Sequence, residues 1–170
     1  MNNPYAKFVD GKDPLAIVES TLPRVQAVIG ALSADRIAQP IAPGKWTVHE
    51  IIAHLADCEL VFQARCRWMM FEDNPTLISF DQDPWLTGWR REREPFAATL
   101  DRYRVLREST IRMFRAASGA DLAKPGEHGQ LGAMSSQGVM EVMAGHDLNH
   151  LGQAHAHRAD RRRQLRWCFC

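Results

Sequence analysis

No stretch of the chain approaches the ~20 consecutive apolar residues that a bilayer-spanning helix requires. The first residues, MNNPYAKFVDGKDP, carry no apolar signal region. The expectation is a soluble, cytoplasmic protein. Cysteine is sparse, with four among 170 residues (Cys58, Cys66, Cys168 and Cys170), and in a reducing compartment these stay thiols rather than disulfides. Cys58 and Cys66 fall in a helical pattern and read as small buried hydrophobes, whereas Cys168 and Cys170 offer a soft pair at the very end. Excess charge of one sign is also lacking. The 21 lysines and arginines meet 20 acids for a net charge of +1, so neither nucleic acid nor an anionic membrane is an expected partner. The one basic run, HRADRRRQLR, stands where a helix C-terminus favours cations.

No segment reads as a convincing strand, and no internal repeat or low-complexity tract appears. What is present is four long stretches of helical period. The first starts at Asp13 and Pro14, an N-cap followed by proline at the first helical position. Its stripe is Leu15, Val18, Leu22, Val25, Ile29 and Leu32, and Pro23 is expected to kink it. The second opens on a capping box, Thr47 and Glu50, flanked by a hydrophobic staple of Trp46 and Ile51. It runs to about Phe71 with Ile51, Leu55, Cys58, Phe62, Cys66 and Met69 on one face. An irregular connection follows over residues 72–94, long enough for a crossover between bundle helices. Pro95 opens the third helix, whose stripe is Phe96, Leu100, Tyr103, Leu106, Thr110 and Met113. After a second loop, Ser135 or Ser136 caps a fourth helix extending to about Ala159. The pattern predicts an all-α protein: one four-helix-bundle domain over residues 1–170.

Four of the seven histidines lie between His146 and His157. At ~100° per residue, Val139, Met143, His146, His150, Ala154 and His157 share one line on the fourth helix, the inward one. Buried imidazoles must be hydrogen-bonded or ligated. His146 and His150, one turn apart, can share an ion; His157 is ~10 Å further along, and His155 points off the stripe. His54 faces the core from the second helix, one turn before Cys58. Three inward histidines from two helices suit a facial three-nitrogen metal site with open positions; hydrogen-bonded core histidines are the alternative. His49, in the first turn of the second helix, reads as a capping or exposed residue; His128, in the loop GEHGQLG, could reach a site mouth or be an exposed loop residue. Asp57 and Asp147, each close to a candidate ligand, could orient a ring or handle a proton, or be solvated carboxylates. Asp81, Asp83 and Trp85 could line an entrance.

Three familiar metal patterns are absent. His146-Asp147-x-x-His150 carries Asp where zincins need Glu, and the shorter acid sits badly as a general base. Gly152 and His155 are each one residue early for the metzincin extension. No histidine has Glu three residues before it, as ferritin-like di-iron bundles require.

The stretches GKWTVHEIIAHLADCE and HGQLGAMSSQGVMEVMAGHDLNHLGQ resemble the two signature regions of the DinB-like superfamily. There, W-T-x-x-E-x-x-x-H-L-x-D opens helix two and G-x-M-T…H-D-x-x-H-x-x-Q spans helix four. The resemblance covers nearly the full chain, including a Trp-bearing loop, SFDQDPWLTGW, in the expected place. Ser135 stands where Thr is usual, and Gly138 weakens the first turn of helix four. The resemblance implies an up-down-down-up bundle holding one divalent metal through His54, His146 and His150. It also implies a common homodimeric state, for which Met140, Ala144, Leu148 and Leu151 would suit an interface, or equally packing against helix one. Some relatives are thiol S-transferases or thiol-dependent isomerases using bacillithiol, mycothiol or glutathione; others are described as metal-dependent hydrolases. Three neutral imidazoles leave an ion of charge about +2, which pulls the pKa of bound water towards ~7 and stabilises a thiolate or enolate. Zn, Ni, Fe and Co all suit imidazole. The expectation is thiol transfer on a small-molecule substrate. A hydrolase is the alternative, and a non-catalytic, stress-associated metal-binding protein is a third.

Overall fold

In the computed structural model, residues 3–88 and 93–164 are described, the side chains of 157–164 excepted. His157 and the Cys168–Cys170 pair therefore lie outside the described side chains. Eight helices and three short strands follow in order: α1 (Ala6–Val9), α2 (Pro14–Ile29), α3 (Ala34–Ala38), α4 (Val48–Phe71), β1 (Thr76–Leu77), α5 (Gln82–Gly88), α6 (Phe96–Ala116), α7 (Gly119–Ala123), β2 (Pro125–His128), β3 (Gly132–Ser135) and α8 (Ser136–Gln164). The four long helices, α2, α4, α6 and α8, form a bundle in which α4 packs on α6 and α8, and α2 on α8 and α6. No helix among the described residues is long and apolar enough to cross a membrane.

Local chemistry sets the helix starts. Asp13 Oδ1 accepts the Leu15 N–H at 2.9 Å to begin α2, which continues through Pro23. The Thr47–Glu50 capping box forms in both directions at the head of α4, at 2.7 and 3.0 Å. Ser135 Oγ accepts the Gly138 N–H at 3.2 Å and caps α8. Contacts between α4 and α6 step forward on both: His49 meets Thr99, Asp57 meets Arg102, and Gln63 meets the Leu106 carbonyl. The two helices thus run side by side in the same direction, and the chain between them must travel back along the bundle.

Residues 72–94 and 118–135 are less irregular than expected. They supply a three-stranded sheet, β1 parallel to β2 and β2 antiparallel to β3, so the expectation of no strands is corrected. Its strands are two to four residues long and carry glycine and proline, so no alternating pattern could announce them. The sheet seats on the C-terminal half of α4: a Cβ at Gly126 would lie 2.8 Å from Met69 Cγ, so only glycine lets that strand approach. His128 is buried, and its Nδ1 accepts the N–H groups of Gln130 and Leu131 at 3.2 Å, shaping the β2–β3 turn. His49 is also buried, bonded to Thr99 Oγ1 at 2.9 Å. Burial of both differs from the exposure that the sequence allows for each.

The face that α6 buries also differs from its apolar stripe. Thr99, Tyr103, Arg107, Thr110 and Phe114 are buried, while Leu106 and Met113 are half-buried. The cause is Arg107, 1% exposed and paired with two acids. Its guanidinium forms an ion pair with Glu59 of α4, donates to both Asp147 oxygens on α8 at 2.5 and 3.0 Å, and reaches the Val18 carbonyl of α2 at 3.1 Å. Thr110 donates to Glu59, and the Tyr103 ring lies 5.3 Å from the guanidinium. Met140, Ala144 and Leu151 are buried within the chain and Leu148 packs beside them, so that stripe is used inside the bundle.

Removing one partner of such a cluster strands buried charge, at a cost of about 3–5 kcal/mol. Arg107→Met should lower the unfolding free energy by that order in denaturant titration. Arg104→Ala, which breaks only exposed pairs with Asp101 and Glu108, should leave the midpoint unchanged. Equal effects of the two would contradict this ranking.

Candidate metal centre

The apolar core has two parts. One joins Ile17, Val18, Cys58, Phe62, Met143 and Ala144; the other joins Leu22, Val25, Ile51, Leu55, Ala56 and Leu151. Residues 54–58 of α4 and 144–151 of α8 lie at the seam, and there three histidines converge. His146 Nε2 is 2.9 Å from His54 Nε2 and 3.1 Å from His150 Nε2. All three rings are buried. Trp46, which precedes the α4 capping box, stacks on His150 (5.9 Å, 8°) and tilts over His54 (5.0 Å, 57°). Tyr5 meets His146 edge-on at 5.4 Å. Its backbone lies against Gly145, where an added Cβ would be 2.6 Å from Tyr5 Cβ. A larger residue at 145 would push the N-terminal segment off the site.

The proton inventory of this cluster does not close. His150 Nδ1 lies 2.9 Å from Gln153 Oε1, and an amide oxygen only accepts, so this ring carries its hydrogen on Nδ1 and bares its Nε2 lone pair. A single hydrogen on His146 Nε2 could serve either His54 or His150, not both. His146 Nδ1 is buried with no hydrogen-bond partner among the described residues. A divalent ion resolves the convergence, since metal–imidazole bonds of about 2.0–2.1 Å hold neighbouring nitrogens about 2.9–3.4 Å apart. The donor set therefore fits a metal.

Electrostatics keeps the rings neutral, the form a metal requires. Burial, then the charge of His150, pushes the His54 pKa down to about 3. Burial and its two histidine neighbours hold His146 well below the usual range, and burial lowers His150. Cys58 is the group that the sequence reading placed only as a hydrophobe. Its Sγ lies 3.6 Å from His54 Nε2 and 4.0 Å from His146 Nε2, and burial followed by the charge of Asp57 and Glu59 raises its pKa well above normal. The i, i+4 spacing from His54 was the available signal. Gln153 stood in the H-x-x-Q motif and Trp46 in the staple, but nothing in the sequence pointed to Tyr5.

Asp57 and Asp147 sit on arginines. Arg102 donates to Asp57 at 2.7 Å and to Glu94 at 3.0 and 3.2 Å; burial raises the Asp57 pKa against the opposing pull of Arg102. Asp147 belongs to the Arg107 cluster. Trp85 lines a cavity of about 300 Å³ with Asp57, Glu94 and Arg102. Asp81 accepts the Asp83 N–H within its own segment, at 3.1 Å. His155 is exposed, as expected. Of the three clustered histidines, His150 lines a cleft of about 700 Å³, with Tyr5, Lys45, Trp46, Asn149 and Gln153 among others.

A helical bundle with a buried three-imidazole cluster, one ring of which lines a cleft, is the class defined by fold and site. The chain belongs to the DinB superfamily, whose family model matches residues 17–154. It is similar to a "Putative metal-dependent hydrolase" of Geobacillus thermodenitrificans, 28% identical over 76 residues, 45% of this chain but only 43% of that relative. Similarly named proteins of Oceanobacillus iheyensis and Bacillus mycoides are each 24% identical, over 71% of this chain and 69% of the first, and over 80% of this chain and 76% of the second. Among solved structures it is similar to YfiT from Bacillus subtilis, described as "a probable metal-dependent hydrolase with an unusual four-helix bundle topology" (TM-score 0.75, 14% identity, 84% of this chain and 82% of that one).

A histidine whose folded pKa lies below the unfolded value of about 6.5 adds stability above that value. It loses this stability as pH falls towards the folded value, about 3 for His54. Buried Asp57 and Glu59, with raised pKa values, act in the opposite sense. The informative comparison is therefore a difference. For metal-free protein, the unfolding free energy should fall more steeply between pH 6.5 and 3 in the wild type than in His54→Gln. Equal slopes would contradict burial of neutral His54.

Proposed function

We propose that the protein is a divalent-metal-dependent hydrolase of small molecules, with His54, His146 and His150 as metal ligands. The observation that carries this reading is the convergence of three Nε2 atoms at 2.9 and 3.1 Å, one of whose rings, His150, lines an open cleft. The names of the relatives support the reaction class. A bound divalent ion would supply Lewis acidity and an activated water. The chain's own residues do the rest. Gln153 fixes the His150 tautomer, and Trp46 holds the rings of His150 and His54 in place. Lys45 and Asn149 present a cation and an amide to a polar substrate, and Tyr5 closes the side nearest His146.

A second reading, thiol transfer or thiol-dependent isomerisation, is favoured by the amides of Gln82, Asn149 and Gln153 along the cleft. They suit a polar low-molecular-weight thiol, whose sulfur an ion held by neutral imidazoles would bind as thiolate.

The two readings separate in a substrate screen with and without added thiol. Hydrolysis of esters or amides without thiol, abolished by a chelator and restored by Zn or Co, is the expected result. Turnover only with a thiol and an electrophile would overturn the hydrolase in favour of transfer. Gln153→Ala, which frees the His150 ring, should weaken metal affinity or kcat/KM by about 10–100-fold. An unchanged variant would contradict its orienting role.

A further inference from the structure

Cys58 stands one turn after His54 on α4 and is 6% exposed. His54, Cys58 and His146 each offer one ligand atom, and these three atoms lie within 4.8 Å of one another. A thiolate about 2.3 Å and an imidazole about 2.0–2.1 Å from the same ion are about 3.5 Å apart in a tetrahedral arrangement. The observed separations from Sγ to the His54 and His146 nitrogens, 3.6 and 4.0 Å, are close to that. Cys58 is absent from the cleft walls, whereas His150 lines them. Cys66, also buried, lies two turns further along α4 in the apolar core.

We infer that Cys58 is a further, sulfur ligand of the ion, grouped with His54 and His146 and approaching it from the core side. This inference rests on the metal-binding reading above and adds a donor that the three histidines do not require. On binding, the S–H bond breaks and a sulfur–metal bond forms. The proton leaves to solvent, with no change of oxidation state. The thiolate lowers the charge left at the centre from about +2 to about +1 and biases the site towards thiophilic ions such as Zn and Co, away from Mg and Mn. With sulfur on the core side, the cleft side, where His150 stands, would be left to substrate.

Cobalt(II) is the probe, because its visible bands report occupancy while a sulfur-to-metal charge-transfer band in the near ultraviolet reports a thiolate ligand. The titration uses full-length chain carrying Cys168→Ser and Cys170→Ser, so that only Cys58 and Cys66 can supply sulfur. The expected result is both sets of bands in this background and in Cys66→Ala. In Cys58→Ala the charge-transfer band should be lost and the visible bands retained. Cys58→Ser, which keeps the side-chain size, gives the same answer should the alanine variant fold poorly. Visible bands without charge transfer, or charge transfer surviving in both Cys58 variants, would overturn the sulfur ligand and leave the three-histidine site standing. No cobalt spectrum at all would remove the metal site and this inference together.

Discussion

One guanidinium touches all four long helices. Arg107 projects from α6, pairs with Glu59 on α4 and Asp147 on α8, and donates to the Val18 carbonyl on α2. Burial alone would lower its pKa, but Asp147 and Glu59 hold it well above the usual arginine value. Hydrophobic packing tolerates small rotations of a helix about its axis; a dry charge cluster with directional hydrogen bonds does not. Glu59 is the residue after Cys58, and Asp147 the residue after His146. Locking the two acids therefore sets the rotation of α4 and α8 that aims sulfur and imidazoles at one point. Fold and site share this constraint.

The site's chemistry follows from where that constraint puts it. The seam between two apolar clusters is dry enough to keep three imidazoles uncharged, and His150 reaches the cleft wall. Desolvation leaves the converging Nε2 lone pairs without water to share them. The same desolvation makes the cluster receptive to a cation that accepts several lone pairs at once. The Trp46 and Tyr5 rings pack against the imidazoles without competing for their lone pairs.

How much of this was legible in the sequence depends on whether the deciding interaction was local. The capping box at Thr47 and the start of α2 at Asp13 depend on residues within three positions of one another, and both formed where expected. The inward line of His146 and His150 is a property of one helix's periodicity. By contrast, Arg107 is buried because its partners sit on two other helices, and no apolar pattern on α6 could report that. His49 and His128 are buried for the same kind of reason, through Thr99 and the β2–β3 turn. The sheet escaped because its strands are too short to show alternation. Cys58 was visible at the right spacing, but a buried cysteine reads as a hydrophobe until a second helix brings His146 beside it.

The proposed function requires the bundle to hold three imidazoles in position to share one divalent ion. Elemental mass spectrometry of the purified protein tests it most directly, alongside His146→Ala, which removes the ring between the other two. About one divalent ion per chain is expected in the wild type and almost none in the variant. Metal-free wild-type protein that takes up neither Zn nor Ni on titration would contradict the proposed function and leave the three histidines as core residues.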